Sequence, residues 1–91
     1  MSVRLSLQLY LLNSGWFKVE EDVTVPNGGR VRDLIDQLRA RYPELREAFP
    51  PGARSANQGP VAVIVNGRFA DLDQPLRGDE EVKIRPLAAG G

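Results

Sequence analysis

Apolar residues occupy every odd position from Val3 to Leu11, with Arg4, Ser6, Gln8 and Tyr10 between them. A period of two belongs to a strand with one buried and one open face. Asn13-Ser14-Gly15 reads as a turn. Phe17, Val19, Val23 and Val25 carry the odd parity onto a second strand, so an N-terminal hairpin is expected. Glu21 interrupts it. Either a bulge at Glu20-Glu21 shifts the register, or this position lies beyond the edge of the core.

Pro26-Asn27-Gly28-Gly29 ends the strand, and the period changes. Val31, Leu34, Ile35, Leu38 and Tyr42 share one helical face, with Asp33 in the first turn and Arg39 and Arg41 in the last, as the helix dipole favours. Pro43, followed by Leu45 and Phe49 four residues apart, predicts a short second helix. The stretch from Pro50 to Pro60 has no periodicity and many breakers, and it reads as an exposed connection.

Val61 to Val65 is apolar on both parities, which predicts an interior strand covered on both faces. Asn66-Gly67 is a two-residue hairpin signal, with Arg68-Phe69-Ala70 as the short return strand. Leu72 and Leu76 should anchor the next loop. Arg77-Gly78-Asp79, a cell-adhesion tripeptide in other settings, reads here as the turn before a last strand from Glu81 to Arg85, with Val82 and Ile84 inward. One main helix against about five strands predicts an α+β domain with a single sheet.

The totals exclude most catalytic chemistry. The 91 residues contain no Cys and no His, which removes thiolate and imidazole ligands, a cysteine nucleophile and the usual base near neutral pH. No catalytic residue and no metal site is expected. Twelve basic residues balance twelve acidic ones, without the basic excess of a nucleic-acid binder. No apolar run reaches membrane-spanning length and no signal-peptide pattern opens the sequence, so a cytoplasmic location is expected, with neither nucleic acid nor membrane as partner. Asn27-Gly28-Gly29-Arg30 lacks the remainder of a phosphate-binding loop and reads as a strand-to-helix turn. Asp71, Asp73, Asp79, Glu80 and Glu81 form an acidic cluster, read first as solvated surface and otherwise as a docking patch.

The sequence closes on RPLAAGG, where the last strand ends at Arg85 and a narrow thread without charged side chains follows. In their order and spacing, "GGRVRDLIDQLRARYPEL", "VAVIVNGRFA" and "LDQPLRGDEEVKIRPLAAGG" resemble the MoaD/ThiS family of ubiquitin-like sulfur carriers, most closely its molybdopterin-synthase small subunits. The resemblance covers nearly the whole chain. One departure is Arg85-Pro86, where many such carriers have two prolines.

The resemblance implies a β-grasp, ubiquitin-like domain over residues 1–86, with a mixed sheet of about five strands on one helix, and a flexible tail over 87–91. It implies that the Gly91 carboxylate is the reacting group. An E1-like adenylating enzyme would use ATP and Mg²⁺ to join it to AMP, and a sulfur nucleophile would replace AMP to leave a thiocarboxylate. The sulfur would pass to an accepting enzyme such as the molybdopterin synthase large subunit. Such a carrier binds no cofactor and is not itself an enzyme. Gly90 and Gly91, without Cβ atoms, allow close backbone approach to a nucleotide. Ala88 and Ala89 keep the thread narrow, and Pro86 lacks the N–H that would continue strand pairing. Phe69, Pro86 and Leu87 are the expected partner contacts. The alternatives are a ubiquitin-like modifier joined through Gly91 to lysines, and a sulfur carrier for cysteine, thiamine or tRNA thiolation.

Overall fold

The structure, a computed structural model, describes residues 1–11, 15–47, 49 and 61–86. The strands are β1 (Ser2–Leu11), β2 (Gly15–Thr24), β3 (Val61–Val65), β4 (Arg68–Phe69) and β5 (Glu81–Pro86), with one α-helix, α1 (Val31–Arg41), and a 3₁₀ helix over Pro43–Glu47. They form one five-stranded sheet in the order β2-β1-β5-β3-β4. β1 and β5 are parallel, while β1–β2, β3–β5 and β3–β4 are antiparallel. The first and last strands thus lie side by side at the centre of a mixed sheet.

The odd face of β1 lies in one core. Val3, Leu5, Leu7, Leu9 and Leu11 are each at most 2% exposed and cluster with Val31, Leu34, Ile35 and Leu38 of α1. The first turn of α1 is closed by distant backbone. Val31 N–H donates to the Gln74 carbonyl at 3.0 Å and Arg32 N–H to the Leu72 carbonyl at 2.8 Å. The Asp33 carboxylate accepts from Arg30 N–H at 2.8 Å, which meets a further orphan donor at this end. Leu72 and Leu76 are buried, as anchors of the loop that supplies those carbonyls.

The β1–β2 register runs without a bulge from Ser2 opposite Thr24 to Leu11 opposite Gly15. Of the two readings of Glu21, the core-edge one is correct. Its carboxylate is paired with the Arg41 guanidinium at 2.8 Å, at the last turn of α1, and accepts from the Tyr42 hydroxyl at 3.4 Å. Phe17 is half-buried beside the Tyr42 ring, 5.4 Å between centroids. The second helix takes the 3₁₀ form after Pro43, and Leu45 and Phe49 are both buried.

β3 is the interior strand expected, between β5 and β4, with its second face covered at Ala62 and only partly at Ile64. Val61, Val63 and Val65 join the core, whereas Ala62, though buried, stands outside it and opposite Arg85, and Ile64 is only half-buried. Ala62 and Ile64 lie on the sheet face that, among the described residues, carries no helix. Asn66 (φ 50°) and Gly67 (φ 82°) form the left-handed pair that a tight hairpin between β3 and β4 requires.

The Arg77-Gly78-Asp79 turn is held by Glu80, one member of the acidic cluster. Its side chain is buried, and its carboxylate accepts from the N–H groups of Arg77 and Gly78, each at 2.7 Å. The turn also ties to β1: Asp79 N–H donates to the Ser2 carbonyl and Arg4 N–H to the Glu80 carbonyl. Neither surface reading of the cluster applies to Glu80. Asp73 is exposed but paired with Arg32 at 2.8 Å, and the Arg32 hydrogen bond and charge hold its carboxyl below the ordinary value.

Candidate functional site: the C-terminal end of the central strand and the open sheet face

The register of β5 decides where the C-terminus leaves the domain. Ser6 lies beside Lys83 and Leu7 beside Ile84, so the same parallel register carried forward puts Gln8 beside Arg85 and Leu9 beside Pro86. On its other side Pro86 stands opposite Val61, the first residue of β3. β5 therefore ends between two strands, directed toward the β1–β2 hairpin end of the sheet. Pro86 is exposed and offers no N–H to the ladder. Leu87, Ala88, Ala89, Gly90 and Gly91, on which the expected carrier chemistry falls, lie outside the described residues, as does the 50–60 connection.

Of the expected partner contacts, Phe69 is 66% exposed on the edge strand β4. It stands opposite Ile64, and Ile64 stands opposite Lys83, three residues before Pro86. Phe69 and Pro86 are thus two strands apart and not side by side. Phe69 and half-buried Ile64, with buried Ala62 beside them, make a short apolar strip on this face, hidden in the sequence by the uniformly apolar run of β3.

Two further aromatics lie closer to the end of β5. Tyr10 and Trp16 face each other across the hairpin, 60% and 67% exposed, with ring centroids 5.5 Å apart in an edge-to-face arrangement. The level of Pro86 is Leu9, so Tyr10 is one residue further along the neighbouring strand, about 4.8 Å away laterally. Parity alone marks both residues as outward. That they share the end where β5 terminates depends on the parallel β1–β5 pairing.

Between the two apolar areas sits Arg85. One guanidinium nitrogen donates to the Ser6 carbonyl at 2.6 Å and the Ile84 carbonyl at 3.0 Å, and the other to the Ser6 hydroxyl at 3.0 Å. The side chain is half-buried, and no carboxylate among the described residues pairs with it. A shallow depression of about 480 Å³ lies further from the tail, over Arg4, Ser6, Glu20, Asp22, Glu81 and Lys83. Its charges are largely met within the face, Arg4 with Asp22 at 4.0 Å and Lys83 with Glu81 at 3.4 Å. Among the described residues, this side of the sheet offers an open surface around a strand end.

The mixed sheet crossed by one helix, with its last strand central and directed outward, defines a ubiquitin-like β-grasp protein. The sequence profile of the ThiS family matches residues 11–91, and the chain belongs to that family: it is a sulfur carrier of the ThiS/MoaD kind, a group of small carriers and not catalysts. It is similar to the molybdopterin synthase sulfur carrier subunit of Mycobacterium tuberculosis, 37% identical over 71 residues that span 78% of this chain and 75% of the relative. Among solved structures, SAMP1 from Haloferax volcanii shares the fold at TM-score 0.66 and 21% identity, over 97% of this chain and 99% of its own. A candidate molybdopterin converting factor subunit 1 from Pyrococcus furiosus matches at TM-score 0.60 and 27% identity, over 92% and 97%. Among the described residues, no helix is long and apolar enough to cross a membrane.

Proposed function

We propose that this chain carries sulfur on Gly91 as a C-terminal thiocarboxylate and serves as the small subunit of molybdopterin synthase. The observation that carries this reading is the 37% identity to a molybdopterin synthase sulfur carrier subunit. The direction of β5 supports it, because a strand ending at the sheet's rim can hand its continuation to another enzyme. The Gly91 carboxylate attacks the α-phosphate of ATP with loss of pyrophosphate. A sulfide equivalent then attacks the acyl carbon and AMP leaves. An E1-like enzyme supplies this chemistry, with ATP and Mg²⁺ bound there, and the synthase large subunit accepts the sulfur. Phe69, Pro86 and Leu87 remain the proposed partner contacts, with Phe69 beside Ile64 on one side of the sheet and Pro86 level with core-facing Val61 on the other.

Co-expression with the adenylating enzyme of the same organism, followed by intact-protein mass spectrometry, tests the reading. The expected product has one sulfur in place of one oxygen at the C-terminus. A bulky substitution such as Gly91→Trp should abolish carrier-dependent pyrophosphate exchange without changing the fold, and exchange at the wild-type rate would refute the assignment of Gly91. A second reading, a protein modifier joined to lysines, draws on the name of another H. volcanii structure with this fold, the small archaeal modifier protein 1. Branched tryptic peptides ending in Gly-Gly on lysines would select it.

A further inference from the structure

The two exposed aromatics at the hairpin end have no role in the strip around Phe69. Tyr10 and Trp16 pack against each other and leave most of their surface to solvent. The next pair on the same face is Gln8 and Lys18, and the parallel register sets Arg85 beside Gln8. Lys18 is exposed and makes no ion pair among the described residues. Arg85 is held against β1 by its three hydrogen bonds. A guanidinium has five N–H donors, so two of them have no partner among the described residues.

Charge is segregated on this face. From the Ser6 row away from the tail it carries Glu20, Asp22 and Glu81, balanced in part by Arg4 and Lys83. From the Gln8 row toward the end of β5 it carries Lys18 and Arg85 and, among the described residues, no acidic one. Trp, Tyr and Arg are the residues that most often anchor protein interfaces, and here they are packed or hydrogen-bonded in place, which lowers the entropy lost on binding. Two cations on a face whose remainder carries Glu20, Asp22 and Glu81 against Arg4 and Lys83, in a chain of zero net charge, are a poor match for a phosphate backbone. They suit a protein partner with acidic groups.

We propose that Tyr10, Trp16, Lys18 and Arg85 form a docking surface for the adenylating enzyme that receives the tail, and that this enzyme meets them with an apolar socket rimmed by carboxylates. The inference rests on the carrier reading above. It adds a second contact on the hairpin side of β5, opposite the strip around Phe69. The aromatics supply affinity. Arg85 fixes the register of docking, one residue before Pro86, so that the last residues are delivered at a defined point.

Pyrophosphate exchange by the adenylating enzyme of the same organism, with the full-length carrier as the varied substrate, tests the proposal. Trp16→Ala and Arg85→Gln should each raise KM for the carrier at least about tenfold, with kcat within about twofold. The wild-type KM should rise with added salt, and the rise should be flatter in Arg85→Gln. Arg4→Gln, on the same face but away from the tail, should leave KM unchanged. Circular dichroism confirms that each variant is folded, and Lys18→Glu replaces Arg85→Gln if loss of the Ser6 contacts unfolds the latter. KM values within about twofold of wild type for the folded variants, with exchange intact, overturn the proposal. Tight binding of a single-stranded RNA oligonucleotide that Trp16→Ala removes, with KM unaffected, also overturns it. Absence of exchange with the wild-type chain refutes the carrier reading itself, a different outcome.

Discussion

Glu80→Ala should be the most damaging single change outside the apolar core, because one buried carboxylate holds the turn that launches the central strand. The carboxylate accepts two backbone N–H groups at 2.7 Å, from Arg77 and Gly78. That turn passes through positive φ at Gly78 (108°) and Asp79 (65°), so its backbone needs support. A hydrogen bond to a charged group contributes about 1.5–3 kcal/mol. The two share one acceptor group, and water can partly replace it, so the loss is smaller than twice that. We expect about 2–4 kcal/mol, which for a domain of this size lowers Tm by about 10–25 °C. Glu80→Gln keeps one acceptor oxygen and sets an amide donor against the other N–H, so its loss should be about 1–3 kcal/mol. Trp16 is already 67% exposed, so its emission is a poor reporter of unfolding. Urea and thermal melts should be followed by far-UV circular dichroism. A Glu80→Ala protein within about 0.5 kcal/mol of wild type would refute the argument that this carboxylate holds the turn.

Gly29→Ala should cost about 1–3 kcal/mol, since a Cβ there would lie 2.5 Å from Val25 Cγ1 and 2.8 Å from the Pro26 carbonyl oxygen, and backbone cannot swing aside; chemical denaturation reads the loss. Asp73 titrates below its ordinary value of 3.8 because of the hydrogen bond and charge of Arg32. Its contribution is therefore complete above that value and disappears as pH falls through the lower folded-state value. In Asp73→Asn the dependence of the urea midpoint on pH should be flatter in this acid range, and high salt should shrink the difference. An unchanged acid limb at low salt would remove Asp73 from the acid sensitivity of the fold.

Much of this fold is legible along the chain, because each strong pattern is local. The alternation from Val3 to Leu11 specifies a strand and its inward side, the spacing from Val31 to Tyr42 specifies a helix, and Asn66-Gly67 specifies a hairpin. Each follows from the geometry of a few neighbouring residues and the need to bury one face. The Gly-Gly ending and the family motifs also identify the kind of carrier without coordinates. What periodicity could not supply is every feature whose partner lies far away in sequence. Glu21 is at the core's edge because Arg41 and Tyr42 meet it there. Glu80 belongs to a turn and not to an acidic surface because two backbone N–H groups converge on it. Ala62 and Ile64 lie on a face that, among the described residues, carries no helix, a distinction that an unbroken run of Val, Ala and Ile cannot express. Only the parallel pairing of the first and last strands brings Tyr10, Trp16 and Arg85 to the point where the C-terminal residues leave. Sequence alone determined the elements and their inward faces, through interactions a few residues long. The tertiary structure decided which side chains surround the outgoing end, because strand order and register are set by contacts between residues as far apart as Ser6 and Arg85.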